Sequence, residues 1–229
     1  MASSVLVVGG SGGLGREIAR YYAGRGDSVV VTSRSTERAE AAAAEIGGNT
    51  RGLAIDLADP ETIEKALADI GELDHLVITA IEQYGNTVKD FSIADAVKAS
   101  TVKLVGYTEV ARVLHERFRP GASIVLFGGL GKLRPYPGST MITATNGAVS
   151  GVMRTLAVEL APVRVNALHP GVVGDSPTWA DRDQTLLVSR TPTGRAATMA
   201  EVVDATDFLL RNGAANAIDL HLDGGARVA

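Results

Sequence analysis

The sequence predicts an α/β fold, one domain of 229 residues with a parallel sheet covered by helices on both faces. Three observations carry this expectation. Short runs rich in β-branched residues alternate with helical segments along the whole chain. The first of these runs passes directly through a glycine-rich turn into a helix. No polar linker, internal repeat or low-complexity tract interrupts the series.

Taken in order, Val5-Leu6-Val7-Val8 reads as a buried strand, Gly9 to Gly15 as its turn, and Arg16 to Ala23 as the opening of a helix. Ser28 to Thr32 is a second strand, followed by an alanine-rich helix over Thr36–Ile46 that Gly47-Gly48 stops. Gly52 to Ile55 is a third strand. Asp59 is placed to cap a helix with Pro60 at its first position, running to Ile70. Leu76 to Thr79 is the fourth strand, and a long helix is expected over residues 92–118, closed by Pro120-Gly121. Ser123 to Phe127 is a fifth strand, 140–160 a helix, and Val163 to Leu168 a sixth strand leading to His169-Pro170-Gly171. Residues 172–197, rich in Pro, Gly and Thr, read as a lid with a short helix. Thr198-Met199-Ala200-Glu201 is a capping-box pattern for a last helix to Arg211. Ile218 to Leu222 closes the series as a strand.

The totals exclude several classes. A net charge of −4 offers no basic face for nucleic acid. No apolar run approaches the roughly 18 residues of a membrane span, and the chain start lacks the layout of a signal peptide. With no cysteine there are no disulfides or thiolate metal sites, and the four histidines (His75, His115, His169, His221) are too scattered to suggest a metal triad. The expectation is a cytoplasmic protein acting on a small-molecule substrate, with no metal.

The strand–glycine turn–helix unit carries the chemistry. Glycines at 9, 13 and 15 allow a sharp turn, close approach of a phosphate to the backbone, and close packing of helix on strand. The helix amino end offers free N–H groups and a partial positive charge to a pyrophosphate. In a parallel sheet of this kind ligands bind at the carboxyl ends of the strands. That rim gathers Gly9, Ser11, Gly12, Gly13, Leu14, Gly15, Ser33, Arg34, Asp56, Leu57, Ala80, Pro170, Gly171 and Val172 as cofactor-binding candidates. An acidic residue that holds a free ribose hydroxyl is expected about 20 residues beyond the glycines. Thr32-Ser33-Arg34 stands there instead. A guanidinium suits a phosphate, so the cofactor expected is NADP(H). Asp56 suits the adenine amino group.

Gly9-x-x-x-Gly13-Leu14-Gly15, Asp56-Leu57, Arg164-Val165-Asn166, Pro170-Gly171 and Asp223-Gly224-Gly225, in this order and spacing, resemble the short-chain dehydrogenase/reductase family over essentially the whole chain. The resemblance implies a single Rossmann domain with a doubly wound seven-stranded sheet in the order 3-2-1-4-5-6-7. It also implies a nicotinamide cofactor and a homodimer or homotetramer formed through the long helices. In the family a Tyr-x-x-x-Lys pair, a Ser and an Asn handle the proton. The registers put Ile142 at the tyrosine position, Asn146 at the lysine, Gly129 at the serine and Lys103 at the asparagine.

All four positions have therefore changed, yet lysine and asparagine have exchanged places. Lys103 is expected to reach toward the ribose and the proton path, with Asn146 bonding what the amine once held; two unrelated drifts are the alternative. Tyr136, Ser139, Thr140 and Thr143 are weak substitute acids. His169 is expected to be structural, though able to titrate near neutrality, and Trp179 to wall the substrate side. Two functions follow from the sequence. One is an NADP(H)-dependent reductase of a small carbonyl, enone or imine with a rearranged site. The other is a non-catalytic NADP-binding sensor or partner subunit.

Overall fold

The computed structural model describes residues 2–82, 85 and 87–229. Seven strands form a single parallel sheet: β1 (Ser4–Val8), β2 (Ser28–Ser33), β3 (Asn49–Ala54), β4 (Leu73–Ile78), β5 (Phe118–Phe127), β6 (Arg164–Pro170) and β7 (Asp219–Leu222). Their spatial order is β3-β2-β1-β4-β5-β6-β7, so the chain belongs to the single-domain, Rossmann-like α/β folds expected from the sequence. β1 pairs with both β2 and β4. The order of strands reverses at this point, and the crevice that opens there is where such sheets bind ligands.

The unbroken apolar character of β1 is explained by helices on both faces of the sheet. Successive side chains point to opposite sides. Leu6 and Val8 join one core with Leu76, Ile78, Ile124, Leu126, Tyr107, Val149 and Met153. Val5 and Val7 join the other with Val77, Val125, Ile18, Val202 and Leu209. The first core lies under α3 (Ile63–Ala66), α5 (Tyr107–Leu114) and α6 (Thr140–Glu159), the second under α1 (Gly13–Gly24) and α8 (Met199–Arg211). The remaining helices are α2 (Thr36–Ile46), α4 (Ile93–Ser100) and the short α7 (Thr185–Ser189). Each fully buried aliphatic side chain contributes about 1.5–3 kcal/mol of transfer free energy, which fixes the register of a sheet that has no polar face.

Of the two caps expected from the sequence, the one on the last helix forms. Ser35 caps α2, and Thr198 with Glu201 forms the complete capping box of α8. Three expectations are corrected. Asp59 makes no side-chain cap; its main-chain carbonyl accepts from Thr62 instead, and the segment is a 3-10 turn at Pro60–Thr62 followed by α3, which ends at Ala66. The helix expected over 92–118 is broken by a π-helical stretch, Thr101–Gly106, between α4 and α5. It ends before Phe118, where β5 begins and runs through Pro120 and Gly121. Gly106 explains part of the π turn. A Cβ there would lie 2.8 Å from Leu57 Cβ and 2.9 Å from Leu57 O, so only glycine lets this helix press on the loop after β3.

Candidate active site

A cavity of about 510 Å³ opens at the carboxyl ends of the strands. Its wall contains Gly9, Ser11, Gly12, Gly13, Leu14, Gly15, Ser33, Arg34, Asp56, Leu57, Ala80, Pro170 and Gly171. Val172 lies outside the wall, which continues at Val173. The Val172 carbonyl accepts from Ala197 N and thereby closes the base of the 172–197 segment. From that segment Ser176, Pro177, Thr178 and Trp179 reach the cavity.

The glycine turn is held from three sides. Gly9 N donates to Thr32 Oγ1 at 3.1 Å, and Thr79 Oγ1 donates to the carbonyls of Val8 and Gly9 at 3.2 and 3.3 Å. A Cβ on Gly15 would stand 2.4 Å from Gly9 O, so strand and helix could not close up with any larger residue. At Gly12 a Cβ would meet nothing within 4 Å, and no side chain caps the amino end of α1. Open space in front of uncapped N–H groups fits the pyrophosphate of a dinucleotide. Arg34 and Arg38 lie on the wall at the adenosine end, and the donor set there fits a 2′-phosphate. Asp56 Oδ1 accepts from Ala58 N at 2.9 Å, which fixes the carboxylate at the cavity edge.

At the other end the cavity is bounded by Val102, Phe127 and Gly128. Lys103 and Asn146 are not among the residues that line the cavity. Both are buried, and Lys103 Nζ donates to Asn146 Oδ1 at 2.8 Å. Burial alone pulls the Lys103 amine down to about 8, because a cation in a poorly solvated site loses hydration. A Cβ on Gly129 would lie 2.9 Å from Asn146 Nδ2, and one on Gly131 3.2 Å from Ile142 Cγ2. Lys103, Asn146 and Gly129 are therefore in close contact with one another. The Asn146 amide occupies space that a side chain at 129 would need, while Ile142 lies over Gly131.

Two of the candidate acids, Ser139 and Thr143, are otherwise engaged. Ser139 Oγ accepts from Tyr136 N and lies 3.0 Å from Thr143 Oγ1, which in turn donates to Gly131 O. Tyr136 is exposed. Tyr107, absent from the sequence-based candidates, donates its hydroxyl to Ala80 O at 2.8 Å; it ties the end of β4 to α5, and burial raises its pKa.

Beneath Gly128-Gly129 lies a buried polar cluster. His169 accepts from Gly129 N through Nδ1 at 3.1 Å, so its neutral ring carries the proton on Nε2, which sits 2.6 Å from Asp219 Oδ1. Lys132 Nζ donates to Ser150 Oγ and to Asp219 Oδ2, each at 2.7 Å. Burial and the Lys132 charge push His169 down to about 4. The expectation of titration near neutrality is thus corrected, while its structural role stands. Lys132, Ser150 and Asp219 are far apart in sequence and match no motif, so spacing gave no signal for them.

Among the described residues no group of three or more His, Cys, Asp or Glu is arranged to hold a metal, and no helix is long and apolar enough to cross a membrane.

The family model described as enoyl-(acyl carrier protein) reductase matches residues 9–227. The 3-oxoacyl-[acyl-carrier-protein] reductase of Bos taurus is 30% identical over 230 residues, spanning 97% of this chain and 97% of that protein. The L-xylulose reductase of Mesocricetus auratus is 31% identical over 233 residues, spanning 96% and 94%. Among solved structures, a short chain dehydrogenase from Burkholderia cenocepacia in complex with NADP is 27% identical with a TM-score of 0.88, covering 98% of this chain and 97% of that one. A short chain dehydrogenase/reductase family protein is 30% identical with a TM-score of 0.87, covering 99% and 98%. Fold, glycine turn and rim define a nicotinamide-nucleotide oxidoreductase class. The chain belongs to the short-chain dehydrogenase/reductase family.

Proposed function

We propose that this protein is an NADP(H)-dependent reductase of a small carbonyl, enone or imine, in which Lys103 and Asn146 replace the family's usual proton-handling residues. The observation that carries this reading is the buried Lys103–Asn146 hydrogen bond. NADPH supplies a hydride when bound. The glycine turn from Gly9 to Gly15 holds the pyrophosphate, Arg34 the 2′-phosphate, Asp56 the adenine, and Pro170-Gly171 the nicotinamide end. Ser33, Leu57 and Ala80 shape the pocket between them. Lys103 holds the proton at Nζ, with a pKa lowered into the range where a general acid works near neutral pH. Asn146 Oδ1 orients that amine. Ile142 cannot donate a proton and Gly129 has no hydroxyl to polarise a carbonyl, so the reading favours acceptors that are already electrophilic. The segment at 172–197 acts as a lid over the substrate, with Trp179 on its inner side.

Exposed Ile93, Val97 and Val105 on the helical stretch that carries Lys103 support a homodimer or homotetramer through these helices, and the reading places the protein in the cytoplasm. The second reading, a non-catalytic NADP-binding sensor or partner subunit, is favoured by the loss of proton donors at 129 and 142. NADPH oxidation measured over a panel of ketones, conjugated enones and imines separates the two. Turnover with an enone or imine supports the reductase. Tight NADPH binding with no oxidation by any acceptor supports the sensor.

A further inference from the structure

The adenosine end of the cavity holds a carboxylate that the glycine–arginine pattern does not predict. Glu82, four residues beyond the end of β4, lines the cavity with Arg34 and Arg38. Its Oε2 lies 3.6 Å from Arg34 Nη1, and its Oε1 accepts from Lys98 Nζ at 3.0 Å. Lys98 on α4 thus fixes one oxygen of Glu82, leaving the other turned to Arg34. The Glu82 side chain is 27% exposed and that of Arg34 is 59% exposed, so the pair is open to a ligand entering from solvent.

Two kinds of ribose would meet this pair differently. A 2′-phosphate competes with Glu82 for the Arg34 guanidinium and is repelled by the carboxylate it displaces. A free 2′-hydroxyl finds in Glu82 the acceptor that the end of β2 lacks, since a carboxylate at this position is what holds an unphosphorylated ribose. We propose that Glu82 is a specificity-determining residue that opposes Arg34, weakens selection for the 2′-phosphate and lets the protein bind NAD(H) as well as NADP(H). The inference rests on the nucleotide-binding reading above.

Binding of NADPH and NADH to the full chain, measured by titration calorimetry or nucleotide fluorescence, tests it. The wild type is expected to bind both nucleotides with dissociation constants within about tenfold of each other, the scale on which an exposed ion pair tips a balance. Glu82→Gln should tighten NADPH and weaken NADH, each by about threefold to tenfold. Arg34→Gln should weaken NADPH and leave NADH unchanged or tighter. A Glu82→Gln variant in which both nucleotides shift together, or neither shifts, overturns the role of Glu82, as does a wild type that binds NADPH without measurable NADH. If the wild type binds neither nucleotide, the nucleotide-binding reading itself fails, an outcome distinct from an unaltered ratio.

Discussion

Lys103 and Asn146, on helices far apart in sequence, meet through a single 2.8 Å hydrogen bond in a buried site. An uncompensated ammonium in such a place is costly, and replacing it with an apolar residue of similar length is often neutral or stabilising. On the proposed function, activity and stability pull in opposite directions at this position. Lys103→Met should lower kcat/KM by about 10²–10⁴, the usual range for loss of a general acid, while the melting temperature stays level or rises. Steady-state kinetics beside thermal unfolding checks both halves. Unaltered turnover in Lys103→Met would remove the amine from the reaction.

The same amine sets a pH signature. Its folded value is about 8 against 10.5 for an exposed lysine. Between these values the unfolded chain holds a proton that the folded chain has released, so stability rises with pH across this window, by roughly 3 kcal/mol for the full shift. Reductase activity that needs the protonated amine falls as pH climbs through about 8. Denaturant midpoints and rates measured from pH 7 to 10.5 should thus diverge, and the rise in stability should be absent in Lys103→Met.

The close contact between Gly129 and Asn146 predicts that a side chain cannot be added at 129 alone. A serine at 129 would bring its Cβ to 2.9 Å from Asn146 Nδ2 and push the amide off Lys103. Gly129→Ser alone should cost about 1–3 kcal/mol, as overpacking commonly does. Combined with Asn146→Ala the steric part disappears, so the double-mutant cycle should show a coupling of at least ~0.5 kcal/mol. Additive effects would mean that the two residues changed independently.

How far the sequence reaches is visible in these same residues. The sheet was legible because burial on both faces leaves Val5 to Val8 and Ile124 to Phe127 as continuous apolar runs, and because glycine alone fits at 9 and 15. The sequence register put Lys103 and Asn146 in one candidate site. That the two side chains touch was not legible, because helix periodicity carries no distance between elements 43 residues apart. Nor does periodicity distinguish a π turn from an α turn over so short a stretch, and Gly106 against Leu57 is a tertiary contact. Asp59-Pro60 had the composition of a cap, but the Asp59 carbonyl rather than its carboxylate took up the Thr62 donors. Glu82, Lys132 and Asp219 escaped for one reason: each is defined by a partner on another strand or loop.

His169, near the carboxyl end of β6, joins the turn after β5 to the start of β7, since Gly129 N–H donates to its Nδ1 and Asp219 Oδ1 lies 2.6 Å from its Nε2. Protonation of Nδ1 would remove the acceptor that Gly129 uses. With the folded value at about 4 and an ordinary value of 6.5, the unfolded chain takes up a proton first as pH falls. Stability from this residue is complete above about pH 6.5 and is lost progressively toward pH 4, by up to about 3 kcal/mol. His75 and His221 are lowered by burial as well, so His169→Gln should flatten this acid limb without erasing it. Gly128→Ala attacks the same joint sterically, because its Cβ would lie 2.1 Å from His169 Nδ1 and the ring is fully buried. It should destabilise the fold by about 1–3 kcal/mol or more and weaken NADPH more than the adenosine half-ligand 2′,5′-ADP, since Gly128 lines only the inner end of the cavity. Equal weakening of both ligands would show that the damage spreads through the whole rim rather than staying at the strand end that His169 holds.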